Sequence, residues 1–157
     1  RANHGETSGL VAAKARQAVA HGLDVLICLG ETRGERQAGQ AEQVVIDQLH
    51  ISVPDDMPQH RLMIAYEPVW AIGTGEVASL DDIAVIHSAI SGELHKRRDG
   101  SLKDRVPIIY GGSVNADNAA AIFALENVHG GLVGGASLEA EAFGSICDSA
   151  KTQTEKS

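Results

Sequence analysis

Residues 62–94 read LMIAYEPVWAIGTGEVASLDDIAVIHSAISGEL, and this stretch decides the fold class. Its first five residues form a short, continuous apolar run, which is typical of a parallel strand buried on both faces. A glycine-rich loop follows, and Ser79 with Asp82 predicts the N-terminal cap of a helix. The apolar residues of that helix recur at helical spacing, at Ile83, Ile86, Ile90 and Leu94. The stretch therefore predicts one complete βα unit.

The same alternation of strand and helix extends in both directions from this unit. Apolar runs predict four strands, at 25–29, 62–66, 106–110 and 132–133. Helical spacing predicts helices at 8–21, 35–49 and 80–94, and Asn115 and Ser137 are interpreted as the caps of two more. This alternation predicts an α/β fold with four parallel strands, preceded by one helix. Periodicity does not choose between an open doubly wound sheet and half of an eight-stranded barrel.

Composition excludes several classes of protein. The chain has 157 residues, 43% of them hydrophobic, and a net charge of −8. We expect one domain at 1–150 and a polar tail at 151–157, and the acidic balance argues against nucleic acid. No apolar run approaches the ~20 residues of a membrane span and no secretory signal is recognisable, so neither is expected. Cys28 and Cys147 form no metal or disulfide pattern, which favours a reducing, cytoplasmic compartment.

Glycines and acids follow the predicted strands, where the ligands of parallel α/β proteins bind. These post-strand residues are Gly30-Glu31, Glu67-Pro68, Gly111-Gly112-Ser113 and the segment 134–137. A Gly-Gly-Ser turn that leads into a helix exposes backbone N–H groups, which can bind an anion. Residues 106–150 contain no Lys or Arg, so a phosphate there would be held by amides and the Ser113 hydroxyl. The alternative is that these glycines only form turns.

Glu67 and the segment after it are the second candidate site. A carboxylate among apolar neighbours suits a general base, although a solvated glutamate at the end of a strand is the simpler alternative. Pro68 stiffens the start of the following segment, and Gly73-Thr74-Gly75 ends it. Rigid ends around an apolar Trp-Ala-Ile tip are typical of a lid that closes over a ligand as a rigid body. The alternative is that the tip packs against neighbouring helices.

Other chemistries find little support in the sequence. The seven histidines are scattered, and none pairs with a cysteine or acid at the spacing of metal ligands, so no metal site is expected. Cys28 is interpreted as a small core residue. Glu76 follows the glycines at 73 and 75 where a phosphate-binding loop of the Walker type needs a lysine.

Four of these segments together resemble the signature segments of the triosephosphate isomerase family. They are 28–31 (CLGE), 65–75 (AYEPVWAIGTG), 110–114 (YGGSV) and 132–138 (LVGGASL). The resemblance runs from Arg1 to about Ala150. The family is itself a standard example of a (β/α)8 barrel, of a glutamate base and of a closing lid. Another phosphate-binding barrel isomerase or aldolase is disfavoured, because only this family explains all four segments.

The resemblance implies an activity and assigns roles to residues. Glu67 would be the base that interconverts dihydroxyacetone phosphate and glyceraldehyde 3-phosphate through an enediolate, in glycolysis and gluconeogenesis. The lid would comprise Pro68, Val69, Trp70, Ala71, Ile72, Gly73, Thr74 and Gly75, with Glu31 and Tyr110 as its support. Substrate would be bound by Gly73, Ser113, Leu132, Gly134 and Gly135. The resemblance further implies no cofactor and a cytoplasmic homodimer. Glu76 departs from the family, which often has a basic or neutral residue there, and we expect it to face solvent.

Two electrophiles of the family have no counterpart in this sequence. The family stabilises the enediolate oxygen with a lysine after its first strand and a histidine after its fourth. The sequence begins at Arg1, which resembles the stretch just after that histidine, and 157 residues compare with the about 250 of a typical barrel. We therefore expect a C-terminal half barrel that is inactive alone. The alternative is a catalytically silent half barrel that binds phosphate or assembles with another half.

Overall fold

The structure is a computed structural model, and it describes residues 1, 4–97 and 106–154. The described ranges contain six α-helices: α1 Ser8–Ala20, α2 Arg33–Gln37, α3 Ala41–Ser52, α4 Leu80–Arg97, α5 Ala119–Phe123 and α6 Ala140–Thr154. They contain three strands: β1 Val25–Leu29, β2 Leu62–Tyr66 and β3 Ile108–Tyr110. None of the helices in these ranges is long and apolar enough to cross a membrane.

The strands form one parallel sheet in the order β1-β2-β3. Val25 pairs with Leu62 at one end of the β1 and β2 register, and Leu29 pairs with Tyr66 at the other. Tyr66 in turn pairs with Tyr110 of β3. Because all three strands run in the same direction, their carboxyl ends lie at one edge of the sheet. The residues that follow them therefore meet there, as the α/β prediction requires.

The prediction of a fourth strand at 132–133 is wrong. The chain makes only an isolated bridge there, in which Gly131 pairs with Tyr110. The N–H of Tyr110 donates to the Gly130 oxygen (3.0 Å) and the N–H of Leu132 donates to the Tyr110 oxygen (2.8 Å). Two apolar residues between glycine pairs are too few to continue this pairing into a ladder. β3 is also shorter than predicted and begins at Ile108, since Pro107 has no N–H to donate.

The single helix predicted at 35–49 is two helices, α2 and α3. Gly39 between them has a φ of +73°, a left-handed conformation that ends α2 and that an α-helix cannot accommodate. Ala38, at the end of α2, is exposed. The predicted cap at Ser137 is also wrong, because Ser137 lies in a 3-10 turn at Gly135–Leu138 and α6 starts only at Ala140.

The core confirms the pattern that identified the first βα unit. Ile83, Ile86, Ile90 and Leu94 of α4 are at most 2% exposed. In β2, Ile64, Ala65 and Tyr66 are fully buried, as expected of a strand covered on both faces, while Met63 stays 38% exposed. The predicted cap of α4 is present, since the Asp82 N–H donates to Ser79 Oγ at 3.1 Å. This cap places the start of α4 directly after the lid segment.

Candidate functional site

Glu67 lies where the three strands end. Its N–H donates to the Leu29 oxygen at 2.7 Å, and the N–H of Gly111 donates to the Tyr66 oxygen at 2.8 Å. These two bonds extend the sheet by one residue beyond β2 on each side. Glu67 is thus anchored where backbone hydrogen bonds join the end of β2 to the segments on both sides.

Two glycines let the chain approach Glu67 closely. A Cβ at Gly111 would lie 2.5 Å from Glu67 Cγ, and a Cβ at Gly30 would lie 1.7 Å from the Glu67 carbonyl oxygen. Real Cβ contacts are never this short, so a larger residue at either position would displace Glu67. The glycines that follow β1 and β3 are therefore explained by packing against Glu67 as well as by turn formation.

Glu67 borders a cleft of about 340 Å³. The cleft is also lined by Cys28 of β1 and by Val69 and Ile72 of the lid segment. The prediction that Cys28 is a core residue is wrong, because its side chain is only partly buried and borders this cleft. Burial raises the pKa of the Cys28 thiol to about 12, and the neighbouring Glu67 carboxylate adds to the rise. The thiol therefore stays neutral beside the carboxylate at neutral pH.

The side-chain cations that border this cleft and the adjoining one form hydrogen bonds or ion pairs with other groups. Arg1 lines the cleft, but its guanidinium donates to the Cys28 oxygen (3.0 Å), Ser8 Oγ (2.9 Å) and Ser52 Oγ (2.9 Å). An adjoining cleft of about 420 Å³ is bordered by Lys14, which forms an ion pair with Glu6. Arg1 therefore holds the wall of the cleft together rather than presenting free N–H groups to Glu67.

The lid segment, residues 68–75, has a structured start and two glycine hinges. Val69–Ala71 form a 3-10 turn, and Gly73 and Gly75 have φ values of +66° and +78°, which favour glycine. The tip is mixed: Ala71 is buried, whereas Ile72 is 47% exposed. Ser113 Oγ donates to the Ala71 oxygen at 2.8 Å, so the segment contacts the loop after β3. Ala71 therefore fits the interpretation that the tip packs against its neighbours, and Ile72 fits the interpretation that the tip is exposed.

Glu31, the predicted support of the lid, contacts the lid directly. Its side chain is fully buried, and Oε1 accepts from Trp70 Nε1 at 2.8 Å. The same oxygen accepts from Arg36 Nε (2.8 Å) and from the Tyr66 hydroxyl (3.3 Å), while Oε2 has no hydrogen-bond partner among the residues that the structure describes. Burial raises the pKa of Tyr66, and the Glu31 carboxylate raises it further. Tyr66 therefore remains a neutral donor.

Arg36 is a part of this site that sequence reasoning missed. Beyond Glu31, it donates to Asp82 Oδ1 (2.7 Å) and to the Tyr66 hydroxyl (3.1 Å), and its guanidinium carbon lies 5.5 Å from the centre of the Trp70 ring. Burial lowers the pKa of Arg36, but its hydrogen bonds to Glu31 and Tyr66 outweigh this effect and raise it above the ordinary value. Its partners come from three distant parts of the chain, so no local motif reveals the cluster.

Tyr110, the second predicted support, lies under the loop after β3. A Cβ at Gly112 would come within 2.1 Å of its hydroxyl oxygen, so only glycine fits above it. The hydroxyl is buried. Burial raises the pKa of Tyr110, and a hydrogen bond from the Ala78 backbone partly opposes the rise. Tyr110 thus faces Ala78, which follows the lid segment.

The structure brings only some of the predicted phosphate-binding residues close to the lid. Ser113 contacts the lid, as described above. Gly134 and Gly135 are exposed, have open space where a side chain would lie, and follow the Gly131 bridge. The amide of Leu132 is already used by the bridge to Tyr110, so it is not available to a ligand. Within the described ranges, no group of three or more His, Cys, Asp or Glu residues could hold a metal ion.

Comparisons with known proteins agree on one family. A family model described as triosephosphate isomerase matches residues 1–150. The triosephosphate isomerase of Ruegeria pomeroyi is 50% identical over 146 residues, which cover 93% of this chain and 58% of that protein. That of Acidiphilium cryptum is 47% identical over 157 residues, which cover 96% and 62%. The crystal structure of triosephosphate isomerase from Bartonella henselae matches with a TM-score of 0.87 and 38% identity, over 96% of this chain and 61% of that chain.

The chain spans about 58% of the length of the first of these relatives. The matches support membership of the family. They do not support the expectation that this chain is the C-terminal part of such a protein. The solved neighbour has the same α/β arrangement of parallel strands and helices. Because the family model covers nearly the whole sequence and the relatives share about half of its residues, the chain belongs to the triosephosphate isomerase family.

Proposed function

We propose that the protein containing this chain interconverts dihydroxyacetone phosphate and glyceraldehyde 3-phosphate, with Glu67 as its catalytic base. The observation that carries the proposal is the position of Glu67. It follows a buried parallel strand, borders a cleft of about 340 Å³, and lies beside Val69 and Ile72 of the lid. A base held at the rigid end of a strand and next to a closing segment suits proton transfer on a small substrate.

The reaction needs one group to move a proton between two carbons. Glu67 would take a proton from the carbon beside the carbonyl, which leaves an enediolate, and would return it to the neighbouring carbon. The proton of the substrate hydroxyl group would move to the former carbonyl oxygen, so that the two carbons and the two oxygens exchange one proton each. Gly30 and Gly111 contact Glu67 and hold it in place. Because the thiol of Cys28 stays neutral, it adds no negative charge beside the Glu67 carboxylate. No external oxidant or reductant takes part, because the proton that leaves one carbon reaches the other.

The lid would protect the enediolate from water and from loss of its phosphate. In support, residues 68–75 lie over the cleft, have glycine hinges at one end, and contact Glu31 through Trp70. We propose that the phosphate binds to Gly73, Ser113, Gly134 and Gly135. The open space at the last two and the absence of Lys and Arg from residues 106–150 favour binding by backbone amides. Leu132 would contribute to the substrate site through contacts of its side chain, since its N–H donates to Tyr110.

We place the described sheet within a (β/α)8 barrel of the whole protein. The whole protein would be a homodimer that acts in the cytoplasm, in glycolysis and gluconeogenesis. The enediolate oxygen also needs an electrophile. Since Arg1 and Lys14, the cations bordering the two clefts, are engaged in other contacts, we propose that lysine and histidine residues outside this sequence supply it.

Replacing the carboxylate tests the proposal in the protein that contains this chain. Glu67→Gln keeps the shape of the side chain and removes the base, so kcat should fall by several orders of magnitude while the Kd of a phosphate-bearing substrate analogue changes little. Glu139→Gln, an exposed glutamate after the Gly135–Leu138 turn, is the matched control and should leave both unchanged. Parallel losses of activity and of analogue binding in Glu67→Gln would assign Glu67 a structural role and contradict the proposal.

A further inference from the structure

Helix α2 lies against both ends of the lid. The helix follows Glu31 directly, and its start is fixed by a capping box. The Thr32 hydroxyl accepts from the Glu35 N–H at 3.4 Å, and Glu35 Oε2 accepts from the Thr32 N–H at 2.7 Å. A five-residue helix held in this way is a firm base for the two arginines that it carries.

The two arginines flank the single tryptophan of the chain. Arg33 and Arg36 are three positions apart and so share one face of the helix. Their guanidinium carbons lie 5.8 Å and 5.5 Å from the centre of the Trp70 ring, within the range of cation–π attraction. Arg36 is tied to buried Glu31 and is part of the fixed structure, as described above. Arg33 has a different partner.

Arg33 reaches past the tryptophan to the far end of the lid. Its Nη2 lies 2.5 Å from Oε1 of Glu76, the residue that follows the second glycine hinge. The side chains of Arg33 and Glu76 are 51% and 49% exposed, so water and salt reach the pair. The expectation of a merely solvent-facing Glu76 is therefore incomplete, because Glu76 joins the lid to α2.

Hydrogen bonds within the lid connect its two ends. Thr74 Oγ1 donates to the Trp70 oxygen at 3.0 Å and accepts from the Glu76 N–H at 3.2 Å. A change at Glu76 is therefore transmitted to Trp70 through Thr74 as well as through Arg33. The lid and α2 thus form a closed ring of contacts. The ion pair between Arg33 and Glu76 is the contact of this ring that breaks most easily, because water and salt reach it.

We propose that Arg33 and Glu76 form a salt-sensitive latch that holds the lid against α2. Both are positioning residues, since neither borders the cleft beside Glu67. When the pair breaks, the end of the lid after Gly75 is released from α2, and the release reaches Trp70 through the hydrogen bonds of Thr74. The latch affects turnover only if the lid closes over substrate, and in this respect it rests on the proposed function.

Trp70 allows a test that does not depend on activity. It is the only tryptophan of the 157 residues, so acrylamide quenching of its fluorescence reports on the lid alone. Quenching should increase as NaCl rises from 20 mM to 500 mM, because salt screens the exposed pair. Glu76→Gln should give increased quenching already at 20 mM and remove the dependence on salt. The expected change in the ratio of released to latched lid is about two- to fivefold.

A double-mutant cycle isolates the ion pair from the contact of Arg33 with the indole. Arg33→Gln and the double variant Arg33→Gln/Glu76→Gln should show the same salt-independent quenching, since either change removes the pair. Asp56→Asn is the matched control: it removes an acid of another exposed pair, with Arg16 at 3.4 Å, and should quench like the wild type. Equal salt dependence in wild type and Glu76→Gln, or additive effects of the two single changes, would overturn the latch.

Kinetics of the protein that contains this chain separate the latch from the proposed function. Glu76→Gln should raise KM about two- to fivefold and leave kcat within a factor of two, and Asp56→Asn should leave both unchanged. Unchanged KM in Glu76→Gln beside altered quenching would show a latch that does not act on catalysis, and would overturn its positioning role. A wild-type protein without turnover would contradict the proposed function, while the quenching result would still decide on the latch.

Discussion

At the scale of residues, burial decides which groups of the site carry charge. Cys28 stays neutral because burial and Glu67 both raise the pKa of its thiol, and Tyr66 and Tyr110 stay neutral because burial raises the pKa of their hydroxyls. His87 of α4 is the basic counterpart. It is fully buried against both tyrosine rings, its Nδ1 lies 2.9 Å from the Asn127 oxygen, and its Nε2 has no hydrogen-bond partner within the described ranges.

His87 makes the stability of the fold dependent on pH. Burial lowers the pKa of His87 from 6.5 to about 4, so the unfolded chain takes up a proton at a higher pH than the folded chain does. Stability should be unaffected by this group above pH 6.5 and should decrease as the pH falls from 6.5 to 4, by a total on the order of 3 kcal/mol. Urea unfolding at pH 7.0 and pH 5.0 measures the difference.

Substitutions on the same helix identify the group responsible. His87→Gln removes the titrating ring, so the loss of stability between pH 7.0 and pH 5.0 should shrink, whatever its effect at pH 7.0. His95→Gln changes an exposed histidine of α4 and should leave that loss as in the wild type. An undiminished loss in His87→Gln would show that other groups cause the pH dependence.

At the scale of elements, the site depends on three short segments that meet only at the carboxyl edge of the sheet. Helix α2 follows β1, the lid follows β2, and α4 follows the lid. Arg36 joins all of them, because it contacts Glu31 after β1, Trp70 in the lid and Asp82 in the first turn of α4. The exact start of α4 therefore matters for the lid as well as for the helix.

The cap of α4 provides a test at this scale. Ser79→Ala removes the hydroxyl that accepts from the Asp82 N–H and should lower the free energy of unfolding by about 1 kcal/mol, as measured by urea unfolding. Ser79→Asp keeps an acceptor at the cap and should stay within about 0.5 kcal/mol of the wild type. If Ser79→Ala were as stable as Ser79→Asp, the cap would contribute nothing and the helix would be fixed by its apolar face alone.

At the scale of the whole molecule, the described sheet brings Glu67, residues 68–75 and glycine loops to one edge, and the side-chain cations that line the clefts there are engaged in other contacts. The cations that border the clefts are Arg1, whose donors are bound to Cys28, Ser8 and Ser52, and Lys14, which is paired with Glu6. An enediolate formed at Glu67 would therefore lack a partner for its oxygen. Proton abstraction beside a carbonyl is slow without such stabilisation.

We accordingly expect the 157-residue chain by itself to have isomerase activity at or near background. The measurement is a coupled assay of the purified chain from a host that lacks its own triosephosphate isomerase. The Glu67→Gln chain is the control for residual host enzyme. Turnover well above that control would show that the chain holds a sufficient electrophile of its own.

The predictions from the sequence succeeded where the pattern is local and repeated. The apolar run at 62–66, the cap at Ser79 and the buried face of α4 are confirmed, since each depends on residues close together in the chain. They failed where glycine or short length interrupts a pattern. Gly39 divides the helix predicted at 35–49, and the two apolar residues at 132–133 form no strand.

The candidate site was predictable in part for the same reason. The motif around Glu67 and the lid is continuous in the sequence, and so is the Gly-Gly-Ser turn. Its surroundings are not: Arg36, Cys28 and His87 lie in segments whose own patterns indicate only helix or strand. Their contacts with Glu31, Glu67 and Tyr66 depend on how the strands align, which no local spacing reveals.

The sequence by itself determined the α/β class and the family, and it led us to propose Glu67 as a base and residues 68–75 as a lid, because periodicity and continuous motifs are properties of the chain. Tertiary structure alone decided that Arg36 joins Glu31 to Trp70, that Arg33 reaches Glu76, and that Cys28 faces the cleft. The physical reason is that a parallel sheet brings together the ends of strands that are separated by whole helices. Contacts made there depend on distance in space and on burial, and neither is a property of sequence spacing.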